Sequence, residues 1–157
     1  MHKRLGDTMK TKHLTRGALI AGLYIIITYI LSPFSFGPLQ FRLSEALTLL
    51  PILYPEAVPA LFVGVLLSNI FGGLGLVDII GGSLTTLIAA YFTYRYKDTF
   101  FAYLSPIIFN GLLISIYLHV LFELPYWITA IEIAASEAVV VFLVGYPMIK
   151  YLKNKIV

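Results

Sequence analysis

Apolar runs at 17–32, 43–54, 57–71, 74–94, 101–122 and 124–149 take up most of this chain. Several of them reach the about 17–25 residues that cross a bilayer as a helix. Charged residues make up 12% of the sequence, where a water-soluble domain carries about 25%. These features predict an all-α integral membrane protein. One domain at 17–149 lies between a basic N-terminal tail at 1–16 and a basic C-terminal tail at 150–157. There is no cysteine, which excludes disulfides and thiolate metal sites.

Span number turns on 43–71, which holds Pro51, Pro55, Glu56 and Pro59. As one helix it would give five spans, and would split the eleven Lys/Arg 5 to 6 across the membrane. With a turn at YPEAVP there are six spans, and ten of the eleven share one side: Lys3, Arg4, Lys10, Lys12, Arg16, Arg95, Lys97, Lys150, Lys153 and Lys155. Positive charge accumulates on the cytoplasmic side. Six transmembrane helices with both termini cytoplasmic follow, in a multi-pass protein of the cell membrane. The proline pair supports the break independently, since proline removes a donor and clashes inside a helix. The basic N-terminus reads as a cytoplasmic flank rather than a nucleic-acid arm. It is followed by no A-x-A-like cleavage site, and Met9 offers an alternative start. The second and third helices are short, so they are expected to be tilted, partly interfacial or covered by other protein.

In this topology SFGPLQFRLSE at 35–45 faces outward, as do FGGLG at 71–75 and the ELPYW junction at 123–127. Ionisable groups inside a span cost about 2.5–3.5 kcal/mol each on insertion scales, yet several occur. Glu45, Asn69, Asp78, His119, Glu132 and Glu137 fall in the expected outer half, and Asn110 nearer the cytoplasmic side. Convergence of such groups at one depth is what a ligand pocket open to the outside needs. Each has another reading. Glu45 can serve a helix N-terminus, and Arg42 can pair with it or touch headgroups. Asp78 can be a near-surface acid, and Glu132 a solvated one. Asn69 and Asn110 can be interhelical hydrogen-bond glue, which is the reading preferred for Asn110. Tyr117, Tyr126 and Trp127 can be belt aromatics. Glu137 has no Lys or Arg at matching depth and is the hardest to explain structurally.

His119 and Glu123 have metal-ligand spacing but no accompanying His/Cys cluster, and neither metal nor cofactor is expected. There is no H-E-x-x-H, G-x-S-x-G or GxxxxGK[ST] motif, so any ATP-driven work needs another subunit. The first helix carries two overlapping small-xxx-small pairs, Gly17/Ala21 and Ala18/Gly22. They form a flat strip suited to bundle packing or to a partner helix.

FGPLQFRLSEAL, YPEA, SNIFGG, GLVDIIGGSL and the later ASEA make the chain closely resemble the QueT family over nearly all of 16–149. These are membrane substrate-binding S-components of energy-coupling factor (ECF) transporters. The resemblance implies six helices and capture of a queuosine precursor, a deazaguanine base such as 7-aminomethyl-7-deazaguanine. It also implies a transmembrane coupling protein and two cytoplasmic ATPases as partners, with the helix 1 strip as docking site. The implied ligand set is Glu137, Asp78 and Glu45 as acids, Asn69 as amide, and Trp127 or Tyr126 on the flat face. Arg42 would anchor Glu45 or close the outer loop as a lid, with Glu132 and His119 near the mouth. Competing readings are an S-component for another vitamin or nucleobase, an intramembrane enzyme pairing Glu137 with His119, and a packing subunit without ligand.

Overall fold

The computed structural model describes residues 2–35, 41–73 and 75–156, with side chains from Lys10 onward. The middle of the expected outer flap, 36–40, and Leu74 of the FGGLG loop lie outside the described residues. Six helical rods form the described part: α1 His2–Ile30, α2 Leu43–Ile52, α3 Ala57–Gly72, α4 at 78–95, α5 Phe101–Phe122 and α6 Tyr126–Ile156. A single turn, Ser32–Ser35, follows α1. Three segments, Lys10–Ile30, Phe101–Phe122 and Tyr126–Ile156, are long and apolar enough to cross a membrane. Leu43–Ile52 and Ala57–Gly72 are shorter apolar helices.

The break expected at YPEAVP is present but narrower. Pro55 sits in the turn, whereas Pro59 lies within the first turn of α3. Its missing N–H is harmless there, because the first N–H groups of a helix have no intrahelical acceptor. Both basic tails are helical: α1 starts at His2 and α6 runs to Ile156.

α2 departs furthest from a simple span. It is a 3₁₀ helix of ten residues with Ser44 through Ile52 all buried. At about 2.0 Å rise per residue it reaches roughly 20 Å, against about 15 Å for an α-helix of that length. A helix that is apolar all round belongs in an interior. This one is packed among α1, α4 and the Val141–Gly145 segment of α6, so protein rather than lipid surrounds it. The core consists of Tyr24, Leu49, Leu61, Val65, Val141 and Ile149. α1 and α3 approach so closely that a Cβ on Gly64 would stand 3.1 Å from the Tyr24 Cβ.

At the opposite end from α2's N-terminus, α1 is tethered to the α2–α3 turn. Arg16 Nη1 donates to Glu56 Oε1 at 2.6 Å, and its guanidinium lies 4.2 Å from the Tyr54 ring centre. His13 Nδ1 lies 3.0 Å from Glu56 Oε2. Burial pushes the Glu56 carboxyl up, but its own backbone N–H, His13 and Arg16 together hold it below its ordinary value. The unfolded chain therefore binds more protons here in the acid range. The stabilisation is full above the ordinary carboxylate value and is lost as pH falls through the lowered one. Glu56→Gln is expected to remove up to about 1 kcal/mol at neutral pH and to flatten this acid-side loss. Thermal unfolding of both proteins at neutral and acidic pH checks it.

Candidate ligand site

The N-terminus of α2, the C-terminal end of α3, the start of α4, the second half of α5 and the first half of α6 meet at one end of the bundle. A polar cavity lies between them. α2 and the residue before it supply Glu45 and Arg42, α3 supplies Asn69, and α4 supplies Gly82 and Thr86. α5 contributes Asn110, Ile114 and Tyr117, and α6 contributes Ile133 and Glu137. Spacings of i, i+4 (82/86, 133/137) and i, i+4, i+7 (110/114/117) put each set on one helix face. The cavity's water-accessible volume is about 20 Å³.

π-turns Asp78–Gly82 and Asn110–Ile114 sit at the cavity. Such turns are frequent at functional sites. The first lets α4 pass close to α3: a Cβ on Gly82 would stand 3.0 Å from Asn69 Nδ2. α3 itself ends just beyond Asn69, where Gly73 takes a left-handed φ of +65° and its N–H caps the helix. Asn69 Nδ2 donates to the Asp78 carbonyl at 2.8 Å, and Tyr117 Oη donates to Asp78 Oδ1 at 3.0 Å. Asp78 thus stands behind the cavity wall and holds two wall residues in place.

Glu45 is buried and accepts a short hydrogen bond from Tyr24 Oη on Oε1. Asn110 Nδ2 reaches its Oε2 at 3.4 Å. Arg42 lines the same space and donates from Nε to the Ser35 carbonyl at 3.3 Å. Glu137 is buried on the facing wall. Three buried oxygens of this cavity have no hydrogen-bond partner within the protein: Asn69 Oδ1, Asn110 Oδ1 and Glu137 Oε1. A buried polar atom without a partner costs about 1–3 kcal/mol. Three unpartnered acceptors on residues that line one cavity would be satisfied by a molecule rich in N–H donors.

Of the residues singled out from sequence, Arg42, Glu45, Asn69 and Glu137 share this cavity, and Asp78 supports it. The other four lie elsewhere. Glu132 is exposed, because five residues before Glu137 is about 140° round the helix. His119 is exposed and its Nδ1 lies 2.6 Å from the Leu124 carbonyl, closing the α5–α6 turn. It does not line the space that Glu137 lines, which removes the geometry of an acid–base pair between them. Tyr126 Oη donates to the Leu112 carbonyl at 3.4 Å. Trp127 is 70% exposed and borders an apolar groove between α5 and α6 with Ile131 and Ala134.

Asn110, read as interhelical glue, bonds Glu45 of α2 and lines the cavity as well, and Tyr117, read as a belt aromatic, lines it too; Tyr24 and Thr86 were not singled out. The 110/114/117 stripe was the available signal for Asn110 and Tyr117. Tyr24 had none, since it meets Glu45 only through the fold.

The four small residues of α1 divide by face. Ala21 is buried against α3, and a Cβ on Gly17 would stand 3.7 Å from Ala60 Cβ. Ala18 is exposed and Gly22 has nothing within 4 Å of a Cβ position. Beside them a groove of about 380 Å³ runs between α1 and α3, lined by Leu14, Ala18, Pro59 and Val63 among others.

A bundle with three long apolar helices around an acid-lined cavity is that of a helical membrane protein with a buried polar cavity. The chain belongs to the QueT transporter family, whose model matches residues 14–154. Over 81 residues it is 38% identical to the queuosine precursor transporter QueT of Lactococcus lactis subsp. cremoris strain MG1363. That match covers 50% of this chain and 47% of the relative, so the chain spans about half the length of the curated relative it matches. No solved structure matches.

Proposed function

We propose that this chain is the substrate-capturing subunit of an energy-coupling factor transporter, binding a queuosine precursor at the outer membrane face. The three unpartnered acceptors in one acid-lined cavity carry this reading. A 7-deazaguanine base has N–H donors at its N1, N2 and N9 positions, and its deaza carbon removes the acceptor that guanine carries at N7. An aminomethyl group, as in 7-aminomethyl-7-deazaguanine, adds a cation. Glu45 and Glu137 suit such donors as charge-assisted acceptors, the Asn69 and Asn110 carbonyls add two more, and Arg42 serves the base's own carbonyl. The name of the L. lactis relative points to the same substrate class.

In this reading all six helices lie in the cell membrane with both termini cytoplasmic, and the cavity faces outward. A coupling protein docks on α1 at Ala18 and Gly22, the pair that packing against α3 leaves open. Two cytoplasmic ATPases drive release inward. Binding of labelled 7-aminomethyl-7-deazaguanine to the purified full chain tests the reading, with guanine and unrelated vitamins as competitors. Saturable one-to-one binding that guanine does not displace supports it, and no binding by folded protein overturns it. Direct binding is the suitable readout, because Trp127 lies away from the cavity and its fluorescence reports poorly on occupancy.

A further inference from the structure

We propose that Tyr24 is a positioning residue of this cavity, fixing which oxygen of Glu45 meets the ligand; the inference rests on the functional reading above and extends it to α1. Tyr24 is fully buried, and its hydroxyl donates to Glu45 Oε1. Its ring has little freedom, since Gly64 leaves it space that a Cβ would invade at 3.1 and 3.3 Å. One turn later, Thr28 Oγ1 donates to the Tyr24 carbonyl at 2.8 Å and shares a 2.7 Å hydrogen bond with Ser44, the neighbour of Glu45. Two rungs, Tyr24–Glu45 and Thr28–Ser44, therefore register α1 against the start of α2.

With Oε1 taken by the tyrosine, Oε2 is the oxygen left for a ligand. The contact that Asn110 makes to it, at 3.4 Å, is long enough for a ligand donor to displace. A phenylalanine would fill the same space in the core, so the hydroxyl serves its polar neighbours, Glu45 first and Arg42 beside it, rather than the packing. Tyr24 does not line the cavity and touches no ligand; it acts through Glu45.

The test is a double-mutant cycle on the purified full chain, with labelled 7-aminomethyl-7-deazaguanine as probe. Tyr24→Phe is expected to weaken binding about tenfold and, because it strips a donor from the buried Glu45 carboxyl, to lower the unfolding midpoint without ligand as well. Glu45→Gln is expected to weaken it more, and the double variant no further than Glu45→Gln alone. Equal affinity of Tyr24→Phe and wild type, or losses that simply add in the double variant, would overturn the assignment. Binding by wild type with additive losses rejects the role of Tyr24 alone, whereas no binding by wild type rejects the functional reading and this assignment with it. Site-specific 3-fluorotyrosine at position 24 keeps the ring and changes the acidity of the hydroxyl, which covers a Tyr24→Phe protein that fails to fold. A shift in affinity is expected from it, and none would count against the proposal.

Discussion

Glu137→Gln should cut affinity for 7-aminomethyl-7-deazaguanine by roughly a hundredfold, about 3 kcal/mol, while the protein stays folded. Glu137 is buried, its Oε1 has no partner in the protein, and it lines the cavity opposite Glu45. Replacing the carboxylate by an amide keeps shape and volume. It converts one acceptor into a donor, which then faces the donors of the ligand. A hydrogen bond to a charged group is worth about 1.5–3 kcal/mol, and a mismatched donor adds the cost of an unsatisfied group. Shape and volume are conserved in the apo protein, so its thermal unfolding should change little. Isothermal titration together with unfolding without ligand separates the two effects. Unaltered affinity would mean that the ligand is held elsewhere.

Asn110→Leu should do the opposite and damage the fold first. The amide is buried among Glu45, Gly111 and the facing wall of α6, and its Nδ2 supplies a donor to Glu45. Leucine has similar bulk but no donor, so two carboxylates would share a cavity with one less group to satisfy them. Leaving a buried polar group without its partner costs about 1–3 kcal/mol. A fall in thermal midpoint and loss of binding are expected together. Recovery of stability in Asn110→Leu combined with Glu45→Gln would locate the damage in the unsatisfied carboxylate.

Much of the architecture was legible because membrane chemistry simplifies the problem. Charge segregation located the YPE break, since lysine and arginine cannot be scattered freely across a bilayer. Glu137 stood out because no base lies at its depth, and depth can be counted along a helix. What cannot be counted is facing. Glu132 and Glu137 share an apolar run, yet one is exposed and the other buried, because five residues rotate a side chain to a different side. Trp127 and Tyr126 were ambiguous for the same reason. Glu123 takes a left-handed φ of 55° at the α5–α6 turn, and that turn brings the two aromatics alongside His119 and Leu112, away from the cavity. Asn110, read as interhelical glue, does reach Glu45 of α2, but a rod treated alone gives no hint of which helix supplies the partner. The 3₁₀ form of α2 was not foreseen. Its sequence reads as an ordinary short apolar segment, with no local signal that separates a 3₁₀ from an α-helical form.

Under the proposed function, the size of the cavity would set the kinetics of capture. A space of about 20 Å³ holds one or two waters and is far smaller than a two-ring base. Capture must therefore wait for the walls to part, and the observed association rate should level off at high base concentration instead of rising without limit. Under the proposed function, a base enclosed once the walls close again would leave slowly, so the loaded protein should show a slow dissociation rate on its own.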